Sequence, residues 1–193
     1  MAVVLVVDDE QNQRNILKTI LTAEGYETHV ASSGDEALKI MQSYSPDVVL
    51  TDLRMEGMNG IELLDRIKSR ENAPEVVLMT AFGTIPSVVE AMNKGAYSYL
   101  EKPLDKDKVL VNVKNALEKS RLLRENRDLH KALHGRFSVE GIVGNSGVMK
   151  EVIGVIRKVS QSPVTVLILC ESGTGKELVA KAIHYNSPRS AKP

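Results

Sequence analysis

Over its first hundred residues the chain repeats one unit five times: a short run of β-branched and other apolar residues, followed by or following a stretch with helical spacing. Val3–Val7 reads as a buried strand, residues 12–24 place Ile16, Leu17, Ile20, Leu21 and Ala23 on one helical face, and Gly25 stops that helix. Glu27–Ala31 predicts a second strand, Asp35–Ser43 a second helix, and Val48–Thr51 a third strand entered through Pro46. Ile61–Arg70, Glu75–Thr80, Ile85–Lys94 and Tyr97–Glu101 continue as helix, strand, helix and strand, and a fifth helix begins near Asp105. Strands separated by helices pair in parallel, so the expected fold is α/β, a doubly wound (βα)5 parallel sheet covered on both faces. In such sheets ligands bind beyond the carboxyl ends of the strands.

That sheet accounts for only part of the 193 residues. With 42% hydrophobic and 26% charged residues, the composition is that of a globular protein, which excludes disorder, collagen and a disulfide scaffold. The formal net charge of zero conceals two unlike halves. Residues 1–104 carry 16 acids against 9 bases, and residues 105–193 carry 9 acids against 16 bases. The single cysteine, Cys170, permits no internal disulfide, and the longest apolar run, Val3–Val7, ends at once in Asp8 and Asp9. Signal peptide and membrane span are therefore not expected, and a cytoplasmic location is.

From Asp105 the helical pattern runs to about Leu133 without Gly or Pro, and His134–Gly135 ends it. Val109, Val113, Ala116, Ser120 and Leu123 follow a 4-3-4-3 spacing; Leu122, Asn126, Leu129 and Leu133 repeat that spacing one residue out of step. The first set suits a helix lying on the sheet, and the second suits pairing with another helix, with Asn126 as a register device, or else a solvated linker. Gly141, Gly144 and Gly147 mark a loop, Val148–Ser160 a helix, Thr165–Leu169 an apolar strand introduced by Pro163, and Lys176–Asn186 a last helix.

The acids placed at strand ends carry the chemistry. Asp8 and Asp9 follow the first predicted strand and Asp52 the third, so three carboxylates are expected to crowd one pocket. Like charges so close require a cation, and hard oxygen ligands with room for water suit Mg²⁺. Thr80 closes the fourth strand and Lys102 the fifth, at the same edge. Each residue alone has an ordinary role as cap, strand former or solvated charge; five at one edge point to a site.

Val6-Val7-Asp8-Asp9-Glu10, Thr51-Asp52-Leu53-Arg54-Met55, Met79-Thr80-Ala81 and Lys102-Pro103 together resemble the receiver domain of two-component response regulators, a flavodoxin-like fold, over residues 1 to about 120. The resemblance implies that Asp52 accepts a phosphoryl group from a sensor histidine kinase. It implies that Asp9 binds Mg²⁺ directly, Asp8 through water, and the Arg54 carbonyl completes the protein ligands. Lys102 and Thr80 would contact the phosphoryl oxygens, Tyr99 would turn inward as Thr80 moves, and the Lys102–Pro103 bond would be cis. Strand alternation places Tyr97 on the same face as Tyr99, which leaves open which ring responds.

Cys170-Glu171-Ser172-Gly173-Thr174-Gly175-Lys176-Glu177 lies between an apolar strand and a helix, the setting of a phosphate-binding loop in which backbone N–H groups and Lys176 hold ATP phosphates. With Ile142-Val143-Gly144-Asn145-Ser146, Thr165-Val166-Leu167-Ile168 and Ala182-Ile183-His184, it resembles the opening of the AAA+ domain of NtrC-like, sigma-54-dependent transcriptional activators. That family has Glu after the loop lysine, as Glu177 is here, but Gly at the position of Cys170. Cys170 is either a tolerated substitution or an impairment of nucleotide binding, and a thiol near a helix N-terminus is also open to oxidation.

The domain organisation expected is thus a receiver over 1–120, a helical linker over 121–136 that forms a coiled coil or is solvated, and the beginning of an AAA+ domain over 137–193. The resemblance implies a phosphorylation-controlled regulator that dimerises through the receiver face and linker helix. Sigma-54 RNA polymerase and DNA would be engaged only by regions beyond Pro193, no membrane contact is expected, and without those regions neither is ATP turnover. Two rivals remain: a self-standing nucleotide hydrolase, and a receiver and dimerisation module with a vestigial tail; direct DNA contact by the basic helix is the weakest option, because its Lys and Arg residues are interleaved with Glu118, Glu125 and Asp128, as on a solvated helix.

Overall fold

A computed structural model describes residues 1–81, 85–136, 146–171, 173, 175 and 176–190. The first unit, Met1–Arg124, is built on five strands: β1 (Val3–Val7), β2 (Glu27–Ala31), β3 (Val48–Asp52), β4 (Glu75–Thr80) and β5 (Ser98–Glu101). All pair in parallel in the order β2-β1-β3-β4-β5. Helices α1 (Gln11–Ala23), α2 (Gly34–Ser43), α3 (Gly60–Lys68), α4 (Ile85–Asn93) and α5 (Lys106–Arg136) connect or follow them. This is the doubly wound (βα)5 sheet expected.

Alternation along the strands divides the interior into two cores. Leu5, Val7, Val49, Val76 and Leu78 face Leu63, Leu64 and Ile67 of α3, with Ala37 of α2 and Ala91 of α4. Val4, Val6, Val48, Leu50, Val77 and Met79 face Leu17 and Leu21 of α1, with Val109, Val113 and Ala116 of α5. The central strands β3 and β4 are buried at every position, as strands covered on both faces must be.

α3 begins where β3 ends. Its N-cap Asn59 accepts from the Ile61 and Glu62 amides, and the Gly60 N–H donates to the Leu53 carbonyl at 3.0 Å. A β-carbon on Gly60 would overlap the Asp52 carbonyl oxygen and stand 3.0 Å from Leu53 Cα.

α5 departs from expectation in two ways. It continues through Gly135 to Arg136, since one glycine costs a helix only about 1 kcal/mol. Of its two predicted stripes, Val109, Val113 and Ala116 are buried, whereas Leu122, Leu123 and Leu129 are all exposed. The second unit, Glu125–Pro193, contains α6 (Gly147–Ser160), capped by Ser146, and α7 (Lys176–Tyr185); Ile156 and Ala182 pack together. Residues 165–169 do not form the expected strand: Leu167 and Leu169 are exposed, and the described residues of this unit supply no strand for them to pair with. Gly141 and Gly144 lie outside the described residues. No described helix is long and apolar enough to cross a membrane.

Gly60→Ala must push α3 away from β3. It should lower unfolding stability by about 1–3 kcal/mol, measured by urea denaturation, because the obstacle is backbone and cannot rotate aside.

Candidate functional site

The carboxyl edge of the sheet assembles the site through backbone bonds between neighbouring strands. The Asp8 N–H donates to the Ala31 carbonyl at 3.2 Å, the Leu53 N–H to Met79 at 2.8 Å, and the Lys102 N–H to Thr80 at 2.7 Å. Asp8, Asp52, Thr80 and Lys102 are thereby set on four strand ends in register. Asp8 is fully buried, and Asp52 and Thr80 nearly so.

Asp8 and Asp52 are held alike. Each gives one carboxylate oxygen to the backbone N–H two residues ahead: Glu10 to Asp8 Oδ1 at 2.9 Å, and Arg54 to Asp52 Oδ2 at 2.9 Å. Each turns its other oxygen to Lys102 Nζ, 2.9 Å from Asp8 Oδ2 and 2.7 Å from Asp52 Oδ1. The Asp52 contact is an ion pair outside hydrogen-bond geometry, so the buried Oδ1 accepts no hydrogen bond.

Burial pulls the Lys102 ammonium towards its neutral form, but contact with Asp52 and then Asp8 outweighs burial and holds its pKa above the ordinary lysine value. A lysine raised in this way contributes its full stabilisation below the unfolded value of about 10.4 and loses it only as pH rises through the folded value. The bridge is therefore intact throughout the neutral range.

Two of the three expected acids are brought together, not three. Asp9 is exposed, and among the described residues no three Asp, Glu, His or Cys side chains converge as a metal-holding group. The physical reason is charge: one ammonium is shared by Asp8 and Asp52, which already leaves a net negative charge, and a third carboxylate is better solvated by water. The donor chemistry nevertheless suits Mg²⁺. Asp8, Asp9, Asp52 and the Arg54 carbonyl all offer oxygen, and a cation reaching Asp52 Oδ1 displaces no hydrogen bond.

One positioning contact had no sequence signal. Arg14, in the first turn of α1, donates from Nη1 to the carbonyls of Asp8 at 2.6 Å and Asp9 at 2.8 Å, pinning the loop that carries both acids. Tyr99 is half-exposed at a cavity of about 10 Å³ that it lines with Thr80, Leu78, Ser87 and Val88. Tyr97 does not share its face. β5 begins at Ser98, and Tyr97 packs in the other core with Lys119 Nζ 5.4 Å from its ring centroid. The Lys102–Pro103 bond is cis.

In the second unit Lys176 Nζ donates to the carbonyls of Cys170 at 2.8 Å and Glu171 at 2.7 Å, so the lysine folds back over its own loop. Gly173 and Gly175 have φ of 85° and 92°, which favour glycine. Cys170 does not: among the described residues Asn72 is the non-glycine residue with positive φ, and the Cys170 side chain is exposed. Its β-carbon is therefore accommodated in this loop. Glu177 pairs with Lys181 at 2.6 Å. Ser172 and Thr174 lie outside the described residues.

Known proteins match both segments. Residues 4–114 match the response regulator receiver domain family, and residues 142–193 match the sigma-54 interaction domain family. The chain is 43% identical over 190 residues to the regulatory protein AtoC of Escherichia coli, covering 98% of this chain and 41% of that protein. It is 38% identical over 191 residues to the transcriptional regulator NtrC of the same organism, covering 99% and 40%. The chain thus spans about two-fifths of the length of these curated relatives. Among solved structures, NtrX from Brucella abortus in complex with ADP matches with a TM-score of 0.63 at 37% identity, covering 100% of this chain and 43% of that one. A receiver domain protein from Clostridium thermocellum matches with a TM-score of 0.61 at 34% identity, covering 64% and 99%.

Lys102→Met would leave two buried carboxylates facing one another, at a cost of about 3–5 kcal/mol near neutral pH. Urea denaturation of both proteins near pH 7 would check it; a loss below about 1 kcal/mol would contradict the bridge.

Proposed function

Because the chain belongs to the response regulator receiver family and carries a sigma-54 interaction segment after it, we propose that it is the receiving part of a cytoplasmic, sigma-54-dependent transcriptional regulator. Asp52 takes a phosphoryl group from a sensor histidine kinase. The observation that carries this reading is the Lys102 ammonium held between buried Asp8 and Asp52 beside Thr80.

In the transfer, an Asp52 carboxylate oxygen forms a bond to phosphorus as the phosphorus–nitrogen bond of the kinase phosphohistidine breaks, its electron pair returning to the imidazole. The barrier is electrostatic, because an anion attacks an anion. Lys102 stands at the attacking oxygen and is a mobile point charge able to follow the phosphoryl group. The Arg54 N–H orients the carboxylate by holding its other oxygen. Asp9, Asp8, Asp52 and the Arg54 carbonyl would hold Mg²⁺, which when bound neutralises charge on the phosphoryl oxygens. Thr80 would donate its hydroxyl to one of those oxygens, and the small cavity that Thr80 and Tyr99 both line supports movement of that pair. The altered face of α4, β5 and α5 would change dimer geometry, and with it the output of the attached segment.

The turn from Cys170 to Glu177 would hold ATP phosphates through Lys176 and the N-terminus of α7. The negative-φ backbone at Cys170 favours a tolerated substitution over an impaired loop.

Incubation with acetyl phosphate and Mg²⁺ should add one phosphoryl mass to the wild-type chain and none to Asp52→Asn, read by intact mass spectrometry. Equal uptake by the variant would refute the assignment. In calorimetric titration the chain is expected to bind ATP, and Lys176→Ala at least about tenfold more weakly, since one charge-assisted contact to phosphate is lost.

A further inference from the structure

The two central strands carry chemistry at both ends. β3 ends on Asp52 and follows directly on Asp47; β4 ends on Thr80 and begins with Glu75. Asp47 and Glu75 therefore lie at the amino edge of the sheet, opposite the pocket, and are neighbours there: the Glu75 N–H donates to the Asp47 carbonyl at 3.2 Å. Glu75 is only 3% exposed and pairs with two ammonium groups, Lys68 of α3 at 3.4 Å and Lys119 of α5 at 3.3 Å. Asp47 accepts from the Val3 N–H at 2.9 Å on Oδ2 and from Arg124 of α5 at 2.8 Å on Oδ1.

These contacts take over where the apolar attachment of α5 thins, after Leu117, which is partly buried against the same core as Val113 and Ala116. Val109, Val113 and Ala116 are buried, but the next two positions of that series are polar Ser120 and Leu123, which is 48% exposed. The first compact unit nonetheless extends to Arg124. We infer that Glu75 and Asp47 form a charge clamp which, through Lys119 and Arg124, holds residues 117–124 of α5 against the amino edge of the sheet and makes them part of the receiver. The clamp stands on contacts within the first unit and does not depend on the chemistry assigned to Asp52.

Glu75 is buried and Asp47 partly so, while the Lys119 and Arg124 side chains are about half exposed, so salt reaches the pairs from the α5 side. Removing Lys119 leaves Glu75 paired with Lys68, and removing Arg124 leaves Asp47 bonded to the Val3 amide. Substitutions on α5 therefore open the clamp without stranding a buried charge. Gln, Lys and Arg have similar helix propensities, so exchanging them leaves the intrinsic helicity of α5 nearly unchanged.

Hydrogen exchange of the full chain, read by mass spectrometry, tests the clamp. In the double variant K119Q/R124Q, amides of residues 117–124 should exchange about three- to tenfold faster than in wild type, and wild type in about 1 M salt should move the same way. Residues 109–116 should be unchanged, and the charge-conserving variant K119R/R124K should retain wild-type protection. Equal exchange of residues 117–124 in wild type and K119Q/R124Q would overturn the inference. Asp52 phosphorylation measured on the same samples separates the two readings: faster exchange without phosphoryl uptake in any variant sustains the clamp and removes the role given to Asp52.

Discussion

Lys102 stands within 2.9 Å of both Asp8 and Asp52, and without its ammonium two nearly inaccessible carboxylates could not share the carboxyl edge of the sheet. The sheet topology answers to that requirement. Order β2-β1-β3-β4-β5 puts the ends of β1 and β3 side by side, and the backbone bond from Lys102 to Thr80 carries β5 far enough for a long flexible side chain to reach across. The bridge also explains why Asp9, next in sequence to a buried acid, lies in water: the positive charge available is already shared.

Much of this was legible because period and punctuation agreed. β-branched runs of about five residues, helical faces between them and a stop at Gly25 left little choice of architecture, and strand ends marked by Asp8, Asp52, Thr80 and Lys102 identified the edge. The failures have specific causes. Thr165–Leu169 has strand composition, but a strand is defined by a partner, and composition cannot supply one. Alternation puts Tyr97 beside Tyr99 only if both lie in the strand, and β5 begins at Ser98, so Tyr97 precedes it and the period of two does not reach it. Arg14 gave no signal at all, because its hydrogen bonds go to main-chain oxygens and leave no complementary residue to find.

Charges on helices were similarly opaque. Lys119 and Arg124 sit among interleaved acids and bases and read as solvated, whereas two acids at strand starts draw them in. The zero net charge likewise concealed that acidic and basic residues are segregated along the chain, with the basic portion supplying ammonium and guanidinium groups that return to acids of the first portion.

Gly60 and the cavity beside Thr80 give the pocket two unlike walls. On the α3 side, helix backbone abuts the Asp52 carbonyl so closely that a methyl group has no room, and that wall cannot yield without moving an entire helix. On the α4 side, Thr80, Ser87, Val88 and the half-exposed Tyr99 ring line a small cavity of about 10 Å³. A group that needs more room at this edge therefore finds none on the α3 side, and the small void lies towards α4.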